Sequence, residues 1–327
     1  MHQNEYDIFF YEAFEEEEEL LKKYMPEHIK AGYSWETIQE SGHEQPASNF
    51  ISVRTQTVLP LEWAGQLKAV LSRSTGYNHL LAYQEKSGAE IDYGHLPLYC
   101  ALSVAEQAMM YWMMLLRKMT KQTGQFNKFH RNGLSGQECA GKNILVAGVG
   151  NIGYEVVKTA RGLGMNVKGV DIVKRHVDVD YCMIEDGLHS ADIIVCAMNL
   201  TTKNAGYFHY DLLKQAKTGV IFINISRGEL SPSQDLLRLL KEKHLGGLAL
   251  DVYEAESDLA IALRGGTSST NPAVKAVLEM SVMENVICTP HNAFNTAEAV
   301  ERKAEQSARQ AEAYLADGKF IWEIPEE

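Results

Sequence analysis

The sequence is poor in cysteine, and its cysteines do not have the spacing of a metal site. Five cysteines are scattered through 327 residues, mostly beside apolar or strand-like sequence. No Cys-x-x-Cys pair and no histidine and cysteine cluster has zinc spacing, so we expect no structural metal. Scattered, odd-numbered cysteines are typical of buried thiols in a reducing compartment.

Long hydrophobic runs and a secretory leader are also missing from the sequence. The longest strongly apolar stretch, residues 108–116, is too short to cross a bilayer. Residues 1–5 lack the basic and then apolar layout of a signal peptide. Together with the cysteine pattern, these features predict a cytoplasmic protein with no membrane partner.

Positive charge is scarce. The chain has 31 Lys and Arg against 43 Asp and Glu, a formal net charge of −12. Because phosphate contacts need clustered Lys and Arg, this balance disfavours nucleic acid as a partner. A small anionic substrate remains compatible with it, since Arg54, Arg73 and Arg227 could make a local pocket positive.

The length and the pattern of the chain predict two α/β domains. At 327 residues it exceeds the size at which one hydrophobic core usually stops growing. We predict a strand over residues 6–14, then a helix whose five glutamates, 15–19, form a solvated first turn favoured by the helix dipole. Strand-like runs at 49–53 and 68–72 complete a small parallel α/β unit.

The rest of the chain has a different pattern of apolar residues. Residues 100–118 are nearly all apolar and predict a helix buried between the two domains, with Ser103 as its possible cap and Glu106 three residues later. From residue 142, buried apolar strands alternate with crossover helices, which is the pattern of a doubly wound parallel sheet. A last helix is predicted over residues 296–316.

A glycine loop opens the second domain. Gly148, Gly150 and Gly153 follow the apolar run ILVA and precede a helix, so they can make a tight turn and let the backbone approach a pyrophosphate. Asp171 ends the next strand, where a carboxylate accepts hydrogen bonds from ribose hydroxyls and repels a 2′-phosphate. This combination predicts binding of NAD, although nearby Lys174 and Arg175 leave some use of NADP open.

Three polar residues follow later strands of the same predicted sheet. Arg227 comes after GVIFINIS, where its guanidinium could hold a carboxylate and polarise a carbonyl, or could simply cap a surface loop. Glu256 and His291 follow the next two strand ends. A carboxylate on one imidazole nitrogen fixes the tautomer and leaves the other nitrogen to exchange a proton.

Several separated motifs together resemble the D-isomer-specific 2-hydroxyacid dehydrogenase family. They are GKNILVAGVGNIG, NISRGEL, GLALDVYEAE and NVICTPHNAFNT, with LKAVLSRSTGYNHL and LPLYCALSVAEQAM in the first domain. The resemblance covers roughly residue 49 to the end. Within the family, the closest branch is that of D-lactate and D-2-hydroxyisocaproate dehydrogenases.

The resemblance implies a Rossmann NAD-binding domain, residues 101–295, inserted in a flavodoxin-like substrate domain, residues 1–100 and 296–327. It implies an NAD-dependent oxidoreductase that reduces a small 2-keto acid to the D-2-hydroxy acid, and a homodimer. Arg227 matches the arginine that grips the substrate carboxylate and keto oxygen. His291 matches the general acid/base, and Glu256 the partner that holds and charges it.

Further residues are assigned by the same resemblance. The predicted cofactor contacts are Gly148, Gly150, Asn151, Ile152, Gly153, Asp171, Asn199, Asp251 and His291. The predicted substrate contacts are Arg54, Ser74, Thr75, Gly76, Tyr99 and Arg227. Asp251 is also expected to support the site and to tune its pH range.

This sequence departs from the family pattern at three positions. Asn199 and Ser257 stand where prolines are common, and Asn295 stands where the lactate branch tends to carry tyrosine. The size of the substrate therefore stays open. Two other functions remain as alternatives on the same fold, an NAD(H)-sensing corepressor-like binding protein and a phosphite-type oxidoreductase.

Overall fold

The computed structural model describes residues 5–55, 57–266 and 268–325. The chain divides into two compact units. Unit 1 contains the residues up to Cys100 and those from Asn295 onward, and unit 2 is Ala101–Phe294. The predicted first domain also takes in residues 1–4, 326 and 327, which lie outside the described residues.

The elements alternate between short strands and helices in both units. The strands are β1 (Ile8–Phe10), β2 (Ala31–Tyr33), β3 (Phe50–Val53), β4 (Ala69–Ser72), β5 (Asp92–Gly94), β6 (Asn143–Ala147), β7 (Asn166–Val170), β8 (Ile193–Cys196), β9 (Val220–Asn224), β10 (Leu245–Leu250) and β11 (Val286–Cys288). The helices are α1 (Glu15–Tyr24), α2 (Ile38–Ser41), α3 (Asn78–Ser87), α4 (Ala101–Leu116), α5 (Met119–Phe126), α6 (Asn151–Gly162), α7 (Ile184–Ser190), α8 (Tyr210–Leu213), α9 (Ser233–Lys241), α10 (Glu256–Gly265), α11 (Pro272–Ser281) and α12 (Ala297–Asp317). Two 3₁₀ turns lie at Leu61–Trp63 and Gly228–Leu230.

Unit 1 contains a parallel sheet of order β2-β1-β3-β4-β5. Its strands are short apolar runs, and β1, β3 and β4 are buried throughout because helices and loops cover both faces. From β1 the chain passes to β2 on one side and later to β3 on the other. The point between β1 and β3, where the winding reverses, is where an open α/β sheet forms its ligand crevice.

The first predicted strand is too long. We predicted a strand over residues 6–14, but β1 covers Ile8–Phe10. Glu12 has a φ of 55°, and this left-handed residue turns the chain away before α1 begins at Glu15. The predicted solvated start of α1 is also wrong at one position, because Glu17 is only 2% exposed.

Unit 2 contains a parallel sheet of order β11-β10-β9-β8-β6-β7. Apolar residues on the strands form one core with α7, α9 and α11. The prediction of two parallel α/β domains is therefore confirmed. Parallel strands end at the same edge of a sheet, so the residues that follow β6 to β11 collect at one side.

Helix α4 lies within unit 2 and packs against α6. It begins at Ala101, so the prediction that Ser103 caps it is wrong. Ser103 lies inside the first turn, and its hydroxyl donates to the Phe294 carbonyl oxygen at 3.2 Å. No helix among the described residues has the length and apolar character needed to span a bilayer.

The last helix belongs to unit 1. Thr296 caps it by accepting the Ala299 N–H at 3.2 Å, and Gly318, with a φ of 68°, ends it. The helix α12 packs against α1 and against β4. Helices α1 and α12, which are far apart in the sequence, therefore belong to the same α/β unit.

Gly228 lies where the loop after β9 passes very close to the loop after β10, so a substitution at this position tests that close packing. A Cβ at this position would lie 1.9 Å from the Tyr253 carbonyl carbon, a backbone atom that cannot move away cheaply. We expect Gly228→Ala to lower the free energy of unfolding in urea by about 3 kcal/mol, the range of a strained substitution in a packed region. In Gly162→Ala, the added methyl meets open space at the end of α6. This control should change the stability by no more than about 1 kcal/mol, and an equal loss in both variants would contradict the argument.

Candidate active site

The glycine loop forms a cradle at the amino end of α6. Gly148 follows β6 with a φ of 87°, and a Cβ there would lie 2.6 Å from the backbone of Ala197. A Cβ on Gly153 would lie 1.8 Å from the Gly148 carbonyl oxygen. Gly150 caps the helix, which leaves the N–H groups of Asn151 and Ile152 in its first turn. Such a helix start binds anions, so this cradle fits a dinucleotide pyrophosphate.

Asp171 lies beside the cradle, directly after β7. Its carboxylate accepts the Val149 N–H at 2.6 Å and the Val173 N–H at 2.9 Å. These bonds fix the carboxylate next to the glycine loop, where sequence reasoning expected the ribose. Asn199 follows β8 and is exposed, and its carbonyl oxygen accepts a hydrogen bond from the Asn204 side chain at 2.8 Å.

Arg227 lies in the loop after β9 and is partly buried. Its Nη1 donates to the Ser226 carbonyl oxygen at 2.8 Å. The loop is anchored by Asn224, a fully buried residue that donates to the Arg227 carbonyl oxygen and to the Ser231 hydroxyl, both at 2.8 Å. Sequence reasoning missed Asn224, although a polar residue that ends an apolar strand was a usable signal.

Glu256 and His291 are in direct contact. The imidazole Nδ1 lies 2.9 Å from Oε1 and 3.1 Å from Oε2 of Glu256. Since an ionised carboxylate only accepts hydrogen bonds, Nδ1 carries the proton, and Nε2 is left to face a reactant. The side chains are 30% and 38% exposed for His291 and Glu256, so the pair is accessible.

Both members of the pair depend on left-handed backbone at non-glycine residues. His291 itself has a φ of 51°, and Ala255, just before Glu256, has a φ of 50°. Such conformations cost about 1 kcal/mol or more and persist where the surroundings enforce them. Local backbone strain therefore lies at His291 itself and at the residue that directly precedes its partner Glu256.

Asp251 holds the loop that carries His291. This aspartate directly follows β10, is 1% exposed, and accepts the N–H groups of Asn292 at 2.9 Å and Ala293 at 2.8 Å. It also accepts the Thr289 hydroxyl at 2.5 Å. Both carboxylate oxygens of Asp251 therefore bind the loop that carries His291. These bonds fit the expected supporting role of Asp251, and its predicted contact with the cofactor stays a prediction.

Tyr111 extends this network from α4. Its hydroxyl hydrogen-bonds the Thr289 hydroxyl and lies 3.4 Å from Asp251 Oδ1. Burial, and then the Asp251 charge, raise the pKa of Tyr111 to about 12, so the phenol keeps its proton at neutral pH. Sequence reasoning missed Tyr111 because it stands in an apolar helix with nothing local to mark it.

The predicted substrate loop lies in unit 1, directly after β4. The Ser74 hydroxyl donates to the Gly76 carbonyl oxygen at 2.6 Å and contacts the Ser72 hydroxyl at 2.7 Å. His95 donates from Nδ1 to the Thr75 carbonyl oxygen at 3.0 Å. Burial lowers the pKa of His95, which favours the neutral ring. The loop is thus held by Ser72 and His95, neither of which the sequence analysis named.

The other predicted substrate contacts are also in unit 1. Tyr99 is 5% exposed, and its carbonyl oxygen accepts the Arg302 guanidinium at 2.9 Å. Arg54 directly follows β3 and is partly buried. Among the described residues, no group of three or more His, Cys, Asp or Glu side chains could hold a metal ion.

In unit 2, the predicted residues share one edge of the sheet. Arg227 follows β9, Glu256 comes six residues after β10, and His291 comes three residues after β11, and these three strands are neighbours. The glycine loop follows β6 at the same edge. Within this set, Glu256 and His291 are in direct contact.

Comparisons with known proteins agree with this arrangement. Residues 108–293 match the family model described as D-isomer specific 2-hydroxyacid dehydrogenase, NAD binding domain. The chain is 30% identical over 260 residues to a D-specific alpha-keto acid dehydrogenase of Enterococcus faecalis, covering 79% of this chain and 78% of that protein. It is 30% identical over 241 residues to a D-lactate dehydrogenase of Escherichia coli, covering 72% of each.

Solved structures show the same fold. A D-2-hydroxyisocaproate dehydrogenase superposes with a TM-score of 0.82 at 25% identity, covering 97% of this chain and 99% of that one. The D-lactate dehydrogenase of Aquifex aeolicus, solved with NAD and lactic acid, has a TM-score of 0.82 at 24% identity, covering 96% and 98%.

The role of Asp251 can be tested through stability. In Asp251→Asn, an amide NH₂ replaces one carboxylate oxygen and faces a backbone N–H, so a buried donor loses its acceptor. We expect the free energy of unfolding to fall by about 1–3 kcal/mol. Asp211→Asn removes the same charge at an exposed position and should stay within about 0.5 kcal/mol of the unsubstituted protein. If urea unfolding gave equal midpoints for both variants, Asp251 would not hold the loop.

Proposed function

Because the chain belongs to the D-isomer-specific 2-hydroxyacid dehydrogenases and carries their NAD-binding domain, we propose that it reduces a small 2-keto acid to the D-2-hydroxy acid. It is an NAD-dependent oxidoreductase. The observation that carries the proposal is the contact of His291 Nδ1 with Glu256 at 2.9 Å. This contact orients one imidazole nitrogen toward a carboxylate and leaves the other for proton transfer.

The residues of unit 2 fit a bound dinucleotide. The glycine cradle and the first turn of α6 would hold its pyrophosphate, and Asp171 its ribose hydroxyls. Bound NADH supplies a hydride for the carbonyl carbon of the substrate. In this proposal the protein positions the acid, protonates its oxygen and excludes water.

Substrate binding and proton transfer would fall to Arg227, Glu256 and His291. The Arg227 guanidinium would bind the substrate carboxylate and polarise the neighbouring keto oxygen. As C2 receives the hydride, His291 Nε2 would donate its proton to that oxygen, which becomes the hydroxyl. Glu256 would stabilise the imidazolium before the transfer and keep the proton on Nδ1 after it.

The proposal is tested by NADH oxidation with pyruvate, 2-ketoisocaproate, phenylpyruvate, glyoxylate and hydroxypyruvate. We expect turnover of at least one of these 2-keto acids, and a kcat lower by about 10²–10⁴-fold in His291→Gln, since glutamine cannot supply the proton. His189→Gln, an exposed histidine on α7, should keep full activity. NADH binding should survive in both variants, and this separates loss of chemistry from loss of fold.

Three results would contradict the proposal. Full activity in His291→Gln would remove this residue from the reaction. Tight NADH binding without oxidation by any of the five acids would instead favour an NAD(H)-responsive binding protein. Oxidation of added phosphite by NAD⁺ would indicate an inorganic-anion oxidoreductase.

We also propose that the protein is a homodimer. The proposal is supported by two exposed aromatic side chains at the end of α5, where Phe126 is 71% and Phe129 is 72% exposed. Large exposed apolar side chains that lie close together in the chain are a feature of protein interfaces. Light scattering should give twice the chain mass, falling toward one chain mass in Phe126→Ser with Phe129→Ser. A monomeric unsubstituted protein would refute this proposal.

A further inference from the structure

The predicted substrate loop of unit 1 is held by a series of hydrogen bonds that begins at a histidine. His79, in the first turn of α3, places its Nε2 3.1 Å from the Ser72 hydroxyl. That hydroxyl lies 2.7 Å from the Ser74 hydroxyl, which donates to the Gly76 carbonyl oxygen at 2.6 Å. Ser72 is fully buried, so the series runs through the interior of the unit. We call it the His79 network.

The direction of each bond in the His79 network follows from the hydrogens that are available. The Gly76 carbonyl oxygen can only accept, so the single hydroxyl hydrogen of Ser74 is used there. Ser72 must then donate its own hydrogen to the Ser74 oxygen. The remaining contact needs a hydrogen from the imidazole, and His79 Nε2 therefore donates to the Ser72 oxygen.

Three consecutive carbonyl groups of the loop each accept a hydrogen bond. The Ser74 carbonyl oxygen accepts the Leu96 N–H at 3.0 Å, and that of Thr75 accepts His95 Nδ1 at 3.0 Å. The third is the Gly76 carbonyl, at the end of the His79 network. In a trans peptide the C=O and N–H bonds point in opposite directions. Holding these carbonyl groups therefore also fixes the direction of the N–H groups of the loop.

The N–H groups of Thr75 and Gly76 are directed away from the bonds that hold the loop. Within residues 5–55, 57–266 and 268–325, neither group donates to a protein acceptor. Both residues are partly exposed. A hydrogen bond to a carbonyl polarises its peptide group and strengthens the N–H as a donor. Successive N–H groups of this kind can bind an anion, which agrees with the prediction that the loop contacts the substrate.

The hydroxyl groups of the loop are used within the protein. The Ser74 hydrogen is directed to Gly76, and Thr75 Oγ1 donates to the Leu96 carbonyl oxygen at 3.3 Å. The loop therefore offers an anion its backbone N–H groups. Its affinity for a carboxylate depends on how accurately the backbone is held.

Gly76 is the residue of the loop that most needs such a restraint. Glycine has more backbone freedom than any other residue, and a rotation of the peptide after Gly76 would turn its carbonyl oxygen toward the anion. Ser72 counters this rotation by donating to the Ser74 hydroxyl, because bonds in a series polarise and strengthen one another. His79 fixes Ser72 in the same way.

We propose that His79 is a positioning residue for the substrate carboxylate, acting through Ser72 and Ser74 on the peptide group of Gly76. This inference rests on the proposed function, because the anion is taken to be the carboxylate of a 2-keto acid. His79 does not touch the substrate in this proposal. It acts on binding rather than on hydride transfer, so it should affect KM and leave kcat nearly unchanged.

Two single substitutions interrupt the His79 network at different points. His79→Phe keeps a planar ring without a donor, and Ser72→Ala removes the middle hydroxyl. Each should raise the KM of the preferred 2-keto acid about 3- to 10-fold, the range of one hydrogen bond. The kcat and the KM of NADH should stay nearly constant. His79→Gln, whose amide NH₂ can donate to Ser72, should restore most of the affinity.

The double variant separates one network from two independent effects. If His79 and Ser72 act in series, His79→Phe combined with Ser72→Ala should have the KM of either single variant, because the second change removes nothing further. A KM that rises by the product of the two single effects would refute the network.

Matched controls remove the same groups elsewhere in unit 1. Ser48 is also fully buried, and its hydroxyl donates to the Asp7 carbonyl oxygen at 3.1 Å, before β3 and thus at the opposite edge of the sheet. His28 is exposed. Ser48→Ala and His28→Phe should leave the KM of the 2-keto acid unchanged. An equal rise in KM in Ser48→Ala would show general loosening of the unit and refute the specific role of His79.

A binding measurement is independent of turnover. Oxamate carries the carboxylate of a 2-keto acid but has an amide carbonyl that accepts no hydride, and oxamide is its neutral counterpart. With NADH present, oxamate should raise the thermal unfolding temperature more than oxamide does. The difference should shrink in His79→Phe and Ser72→Ala and persist in His79→Gln.

The outcomes separate this inference from the proposed function. Protection by oxamate that depends on His79, without reduction of any keto acid, would keep the role of His79 and refute the proposed reaction. Reduction of a keto acid with an unchanged KM in both His79→Phe and Ser72→Ala would refute the role of His79 and keep the reaction.

Discussion

One buried carboxylate fixes the position of the candidate acid/base in unit 2. Asp251 directly follows β10 and accepts two consecutive N–H groups, those of Asn292 and Ala293, from the loop after β11. His291 comes just before them with a left-handed backbone, a conformation that needs such support. The contact between His291 and Glu256 therefore depends on hydrogen bonds made by a third residue. Tyr111 and Thr289 complete the surroundings of that residue from α4 and from the loop itself.

The sequence was sufficient to predict the fold class and the edge of the sheet on which the polar residues collect. Apolar strands, crossover helices and a glycine loop are local signals, and the parallel topology brings the strand ends together. The limits of β1 were not predictable in the same way. A left-handed Glu12 is favoured by tertiary hydrogen bonds to Arg54 and Thr57, and nothing in the local sequence marks it.

Some supporting residues could not be predicted from the sequence. Tyr111 stands in an apolar helix, and its partners Asp251 and Thr289 come from distant parts of the chain. Glu17 belongs to a run of glutamates that is typical of a solvated helix start, but in the structure it is buried and forms ion pairs with Arg73 and Lys303. In each case a long-range electrostatic contact overrides the local pattern.

The two units use charge in different ways. In unit 2, carboxylates orient donors, since Asp251 binds the loop that carries the histidine and Glu256 binds the histidine itself. In unit 1, a buried carboxylate, that of Glu17, pairs with two buried cations, Arg73 and Lys303.

The central claim is that His291, Glu256 and Arg227 adjoin the reactive ring of the cofactor. A crystal structure of the chain with NAD⁺ tests it most directly. The account predicts the pyrophosphate on the first turn of α6, and the nicotinamide ring beside Arg227 with His291 Nε2 facing the same space. A nicotinamide ring bound out of contact with both residues, or a His291 ring turned away from Glu256, would contradict it.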